Sequence, residues 1–244
     1  METWFAGPGD AEEAPVSFGH KLASSADAVV SYELITSSPH SSYDALANRS
    51  RFLQFDAPLS LIIQASRYNQ GTDYPPHRMK QLYIAQSDIR SLPPALAEDL
   101  PVPEIVKHAG KGDIYSSSIW LGLQPTYTPL HRDPNPNLFC QLAGSKHVRL
   151  MRPWVGQSVF RGIRRLLGAP GSSRLRGPEM MDGPELDGLH RAVWVDDRDN
   201  TASEIWEAVL DPGDALFIPQ GWWHSVRSVG NEAELNASAN WWFR

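Results

Sequence analysis

From Asn137 the chain runs NLFCQL, AGS, KHVRLM: two short β-rich runs held apart by three small residues. Runs of this kind recur. QLYIAQ (81–86) and SSIWLGL (117–123) lie upstream; ALFIP follows the turn LDPGD (210–214), and then come QGWWHSV and, at the carboxyl end, NASANWWF. Many short strands bounded by turn formers favour a β-sandwich or barrel over alternating strands and helices. The pair around AGS reads as a hairpin closed by a Gly-containing loop, and LSLIIQAS (59–66) reads as a further strand. Helical character is confined to short, proline-interrupted turns within 92–110 and to VGQSVFRGIRRLLG after Pro153.

A mainly β chain of 244 residues, 41% hydrophobic and 10% aromatic, can bury a substantial core and remain one domain. The predicted organisation is a loose arm over 1–25, rich in Gly, Pro, Ala, Ser and acidic residues, followed by a single domain over 26–244. Within it, about 154–193 reads as an inserted, partly mobile segment, because Gly, Pro, Ser and Arg dominate GAPGSSRLRGPEMMDGPELDG. Arg161, Arg164, Arg165, Arg174 and Arg176 form the basic cluster of a chain whose net charge is −6; a solvated loop or an RNA contact would both use them. The acidic balance removes any global attraction to nucleic acid or anionic membrane, and no apolar run is long enough to span a bilayer. The amino terminus has no basic region leading into a hydrophobic run, and one cysteine, Cys140, permits no intrachain disulfide. The expected setting is intracellular, cytoplasmic or nuclear.

The stretch TYTPLHRDPNPNLFCQLAGSK (126–146) carries the chemistry. Residues two apart in a strand face the same side, so His131 and Asp133 project together while Arg132 points away. A lone His-x-Asp is common and can simply be hydrogen-bonded in a core. A third ligand-type residue, His224, lies on the strand-like segment after GDALFIPQGWW. Two histidines and a carboxylate on one face of a metal are the facial triad of non-haem Fe(II) oxygenases, a set that leaves coordination positions open for chemistry.

Three ordered motifs, TPLHRDPNPNLFCQLAGSK (128–146), PGDALFIPQGWWH (212–224) and NWW (240–242), resemble the JmjC (cupin-like) Fe(II)- and 2-oxoglutarate-dependent oxygenases, in particular the small JmjC-only hydroxylases. The resemblance covers roughly 80–153 and 205–244. It implies a mainly β fold, the double-stranded β-helix or jelly-roll (cupin) barrel, with peripheral short helices. It implies that His131, Asp133 and His224 bind Fe(II), that Lys146 pairs with the distal carboxylate of 2-oxoglutarate, and that Thr128 and the Tyr83 phenol hydrogen-bond the same end. A dicarboxylate held by metal at one end buries a negative charge at the other, which is costly unless a cation and donors meet it. Asn137 and Asn240 match positions near the cosubstrate and metal, and Gln86 and Trp120 match positions near the substrate.

The implied reaction consumes O2 and 2-oxoglutarate, releases succinate and CO2, and hydroxylates a substrate C–H bond. A protein or peptide side chain is the first expectation for substrate. A modified tRNA base and an N-methyl-lysine are the alternatives within the family, and a metal-binding scaffold without turnover is the alternative outside it. A single cysteine cannot build the zinc modules that accompany chromatin readers. The chain stops soon after NWWF, without the helical extension through which some relatives dimerise, so a monomer is expected.

Overall fold

The computed structural model describes residues 25–36, 51–71, 79, 81–168, 183–195 and 204–244. The expected arm at 1–25, apart from its last residue, lies outside the described residues, as do Arg174 and Arg176. Eleven described strands form two antiparallel sheets. The larger contains β1 (Val29–Thr36), β2 (Arg51–Pro58), β3 (Leu82–Asp88), β4 (Ile114–Leu123), β6 (Asn137–Ala143), β9 (Ala215–Ile218) and β11 (Leu235–Phe243), in the order β2-β1-β3-β4-β11-β6-β9. The smaller contains β5 (Tyr127–Arg132), β7 (Ser145–Met151), β8 (Ile205–Leu210) and β10 (Trp223–Val229), in the order β5-β10-β7-β8. Two stacked sheets joined by strands that alternate between them make the jelly-roll barrel.

Alternation along the central strands sorts two faces. On β11, Ala237, Ala239, Trp241 and Phe243 join Leu121 and Leu123 of β4 and Leu138, Cys140 and Leu142 of β6 in one apolar cluster. That cluster is closed from outside by α1 (Ser60–Gln70), through Ile62 and Ile63, and by the short helices α2 (Pro94–Glu98) and α3 (Glu104–His108), through Leu96 and Val106. The other face of β11, carrying Asn236, Ser238 and Asn240, turns polar side chains into the barrel. The outer face of the small sheet is covered by α4 (Pro153–Leu166) and α5 (Pro184–His190), whose Val155, Phe160 and Leu189 pack on Met151 and Trp223.

Two expectations need correction. LSLIIQAS belongs to helix α1 and not to a strand, with Ile62, Ile63, Ala65 and Asn69 buried on one helical face; an apolar run this short carries no reliable period of its own. The two runs around AGS do become strands, but they do not pair with each other: β6 lies between β11 and β9, whereas β7 lies between β10 and β8. AGS is a corner at which the chain leaves one sheet for the other. Gly144 takes φ of 62°, and a Cβ there would come 2.8 Å from the Asn236 amide nitrogen. The carbonyls that a hairpin would have paired are met by side chains: Gln141 Nε2 donates to the carbonyls of Ala143 and Gly144, both at 2.8 Å, and Asn236 Nδ2 to that of Ser145 at 2.9 Å.

The basic segment after Pro153 is helical, and Arg164 forms an ion pair with Glu185 that ties α4 to α5, leaving Arg161 and Arg165 exposed. Gly156 of α4 lies flat against the indole of Trp223, where a Cβ would sit 2.1 Å from Cγ. Gly162 on the same helix has nothing within 4 Å. Alanine gains about 1 kcal/mol over glycine inside a helix, while overpacking a core costs about 1–3 kcal/mol. Gly162→Ala is therefore expected to stabilise the protein and Gly156→Ala to destabilise it, as measured by urea unfolding of the two variants.

Candidate metal centre

His131 and His224 face each other across the pairing of β5 and β10, and Asp133 lies just beyond the end of β5. Their ligand-type atoms all fall within 4.8 Å of one another. Nε2 of His131 is 3.8 Å from Asp133 Oδ1, Nε2 of His224 is 3.6 Å from Oδ2, and the two rings are 4.2 Å apart between centroids. These separations exceed hydrogen-bond length. They suit three groups arranged around a common point.

The protonation pattern says what belongs at that point. Nδ1 of His131 lies 2.8 Å from the Pro129 carbonyl, and Nδ1 of His224 lies 3.4 Å from that of Trp222. A carbonyl only accepts, so each Nδ1 carries the proton and each Nε2 turns a lone pair inward. Burial, and then the neighbouring His131, pull the His224 pKa down to about 4, so its ring is neutral near pH 7. For Asp133, burial pushes the pKa up, but His224, His131 and donated bonds from Trp242 and Asn137 outweigh it, and the carboxyl stays below its ordinary value. Two imidazole Nε2 atoms and a carboxylate converge on that point. This donor set fits a divalent transition metal.

Asp133 is held from the large sheet. Trp242 Nε1 donates to its Oδ2 at 2.8 Å and Asn137 Nδ2 to the same oxygen at 3.0 Å, while Asn240 Nδ2 donates to Asn137 Oδ1 at 2.9 Å. The sequence reading anticipated both asparagines and missed Trp242, which reads as core. Its parity was the available signal: Trp242 falls on the same face of β11 as Asn236, Ser238 and Asn240.

Lys146 points into the barrel on the face of β7 that also carries Val148 and Leu150, which pack in the barrel's apolar interior. It is 3% exposed and donates to Ser238 Oγ at 2.8 Å; among the described residues no carboxylate pairs with it. Desolvation alone pulls its pKa down to about 7. Its ammonium sits 5.4 Å from the Phe139 ring and 6.0 Å from that of Tyr83. Tyr83 is buried, with its pKa driven up by burial, and its ring occupies the space above Gly122, where a Cβ would come 2.2 Å from Cδ2.

Thr128 and His131 are three residues apart, a spacing that simple alternation places on opposite faces. A bulge reconciles them: Thr128 lies opposite Val226 and His131 opposite His224, so β5 spends one residue more than β10 over that interval. Trp120 is half-buried, 5.9 Å from the Tyr83 ring. Gln86 is exposed, with φ of 52°, in the irregularity where β3 slips against β4.

The sequence matches the Cupin-like domain family across residues 12–244. Among curated proteins it is similar to lysine-specific demethylase 8 of Danio rerio, with 31% identity over 163 residues that make up 66% of this chain and 36% of that protein. Jumonji C domain-containing protein 5 of Drosophila melanogaster is 30% identical over 162 residues, and lysine-specific demethylase JMJ30 of Arabidopsis thaliana 27% over 170, each match again covering 66% of this chain and 36% of the relative. The matched stretch thus spans little more than a third of these relatives' length.

A buried, unpaired ammonium destabilises a fold. Lys146→Met is expected to raise the thermal unfolding midpoint near pH 7, where the lysine still carries charge, and to raise it less at pH 9, where the lysine is already neutral. Differential scanning calorimetry at the two pH values checks this.

Proposed function

The chain belongs to the cupin-like JmjC family, and on that premise we propose that it is an Fe(II)- and 2-oxoglutarate-dependent oxygenase that hydroxylates a C–H bond of a protein side chain, residues 26–244 forming one catalytic domain. The observation that carries the reading is the combination of a His-Asp-His cluster with an ammonium, buried in the same barrel, that no carboxylate among the described residues pairs with. A ligand that satisfies both must chelate a metal at one end and present an anion at the other.

His131, Asp133 and His224 would hold the metal, and Lys146 the remote carboxylate of the cosubstrate. Along β7, Lys146 is four residues from Leu150, the residue opposite His224. At about 3.3 Å per residue that is roughly 13 Å between backbones, which the lysine stem and a five-carbon diacid can share. Thr128 and the Tyr83 hydroxyl supply donors beside Lys146 in this assignment. Bound Fe(II), with 2-oxoglutarate and O2, supplies the oxidising power, giving succinate, CO2 and a hydroxylated product. The chain's own part is to orient and to keep dry: Asn137 and Trp242 fix the Asp133 carboxylate, and the carbonyls of Pro129 and Trp222 fix the imidazole tautomers. Trp120 and Gln86 would meet the substrate. The protein would act inside the cell as a monomer.

Removal of an N-methyl group from lysine is the second reading, favoured by the names of two relatives. It uses the same first step, hydroxylation of a C–H bond, applied to a methyl group on nitrogen. The RNA reading draws only on the arginine cluster, of which Arg164 is already engaged with Glu185.

An anaerobic titration tests the core of the proposal. Fe(II) followed by 2-oxoglutarate added to metal-free protein should produce a weak visible charge-transfer band, absent from Asp133→Ala. A band that survives in Asp133→Ala, or none in folded wild-type protein, would refute it. Lys146 binds an anion only when protonated and its own pKa is held near 7, so 2-oxoglutarate binding should take up a proton and weaken as pH rises from 7 to 9. Calorimetry in buffers of different ionisation enthalpy would register the proton, and Lys146→Met should abolish it.

A further inference from the structure

Thr128 and His131 share the barrel's inner face because β5 bulges between them, and that bulge is stitched from outside the barrel. Pro129 and Leu130 of β5 stand against a single residue of β10, Ser225, which lies between His224 and Val226. Proline offers the ladder no N–H. Ser225 is fully buried, and its side chain spans the irregularity: Oγ donates to the Thr128 carbonyl at 2.8 Å.

The hydroxyl is aimed by a residue that lies outside the site. Trp194 Nε1 is 2.9 Å from Ser225 Oγ. An indole N–H can only donate, so the oxygen accepts from it and turns its own proton to Thr128. Trp194 belongs to the π-helical turn Arg191–Val195 that continues α5. Such turns are rare and recur at functional positions. This one is pinned to the outer face of the small sheet. Arg227 and Arg149 place their guanidinium groups 4.3 and 4.9 Å from the indole centroid, and the His147 ring meets it edge-on at 5.0 Å. Arg149 also donates to the Val193 carbonyl, while Leu189 and Val193 join Met151 and Trp223 in the apolar cluster. Polar and apolar contacts together fix one indole N–H against one hydroxyl.

We propose that Trp194 is a positioning residue: through Ser225 it holds the bulge that turns Thr128 toward the cosubstrate, so that docking of residues 184–195 on the small sheet sets the affinity for 2-oxoglutarate. This deepens the oxygenase reading and rests on the place which that reading gives Thr128. Side chains alternate strictly along a strand, so a bulge that relaxes turns its neighbours to the other face. The stitch is on the Thr128 side, whereas His131 stays in register with His224. The cosubstrate end is therefore the end that loosens. Coupling of this kind is reciprocal: a cosubstrate that prefers the stitched bulge also tightens the stitch.

Calorimetry of 2-oxoglutarate binding to the full chain loaded with Zn(II), which fills the metal site without turnover, tests the relay. Trp194→Phe keeps an aromatic ring for both arginines and removes the N–H. It should weaken 2-oxoglutarate about fivefold, the loss of one modest hydrogen bond, as should Ser225→Ala, with Zn(II) affinity unchanged. The double variant should be no weaker than Ser225→Ala alone, because both substitutions cut the same chain. Phe160→Leu loosens the same helical cover without touching Ser225 and should leave 2-oxoglutarate affinity as it was. The wild type gives a reading that needs no variant: solvent exchange of the Trp194 indole N–H, followed by nuclear magnetic resonance, should slow several-fold once 2-oxoglutarate is bound. Unchanged affinity in Trp194→Phe, additive losses in the double variant, an equal loss in Phe160→Leu, or exchange indifferent to 2-oxoglutarate would overturn the proposal. Wild-type protein that binds Zn(II) but no 2-oxoglutarate sinks the oxygenase reading and the relay with it; binding that ignores Trp194 sinks the relay alone.

Discussion

A carboxylate that can only accept organises the interior of this barrel. Asp133 stands past the end of its strand, so the pleat does not aim it; donors from the opposite sheet do. Trp242 and Asn137 approach from the large sheet, while His131 and His224 present bare nitrogens from the small one. Removing the acceptor would free the Asn137–Asn240 pair to turn over, while the Pro129 and Trp222 carbonyls would still hold the two imidazoles.

The two inner faces divide the work. On the small sheet the interior is apolar around Val148, Leu150 and Val226, whereas the large sheet contributes Asn137, Ser238 and Asn240. Lys146 joins His131 and His224 as a polar group on the inner face of the small sheet, a charge buried at the rim of an apolar layer. Such an arrangement stabilises the folded chain less than leucine would. It is intelligible as a surface prepared for an anion, with the desolvation cost met before the ligand arrives.

Much of the site could be read in the sequence because its information is local. His131 and Asp133 lie two apart, and the three motifs bring with them His224, Lys146 and the two asparagines. The fold class was legible for a similar reason: short β-rich runs between turn formers. What failed was non-local. AGS has the same composition whether it closes a hairpin or turns a corner, and only the partners β11 and β10, far along the chain, decide between them. LSLIIQAS was misread because an apolar run of eight fits a strand or a buried helix equally. The bulge that brings Thr128 round to the face of His131 leaves no signature in residue types, and Trp242 was hidden by its hydrophobicity.

The corner at Gly144 has a mechanical meaning. Because β6 and β7 share no backbone hydrogen bonds, Asn137 and Lys146 lie near each other in sequence yet on opposing leaves of the sandwich. A metal held by His131 and His224 of one leaf, and by an Asp133 tethered to the other, would act as a clasp. A diacid running on to Lys146, whose ammonium already touches Ser238 across the gap, would add a second stitch. Loading the site would therefore also fasten the two sheets together and add the free energy of binding to the stability of the fold.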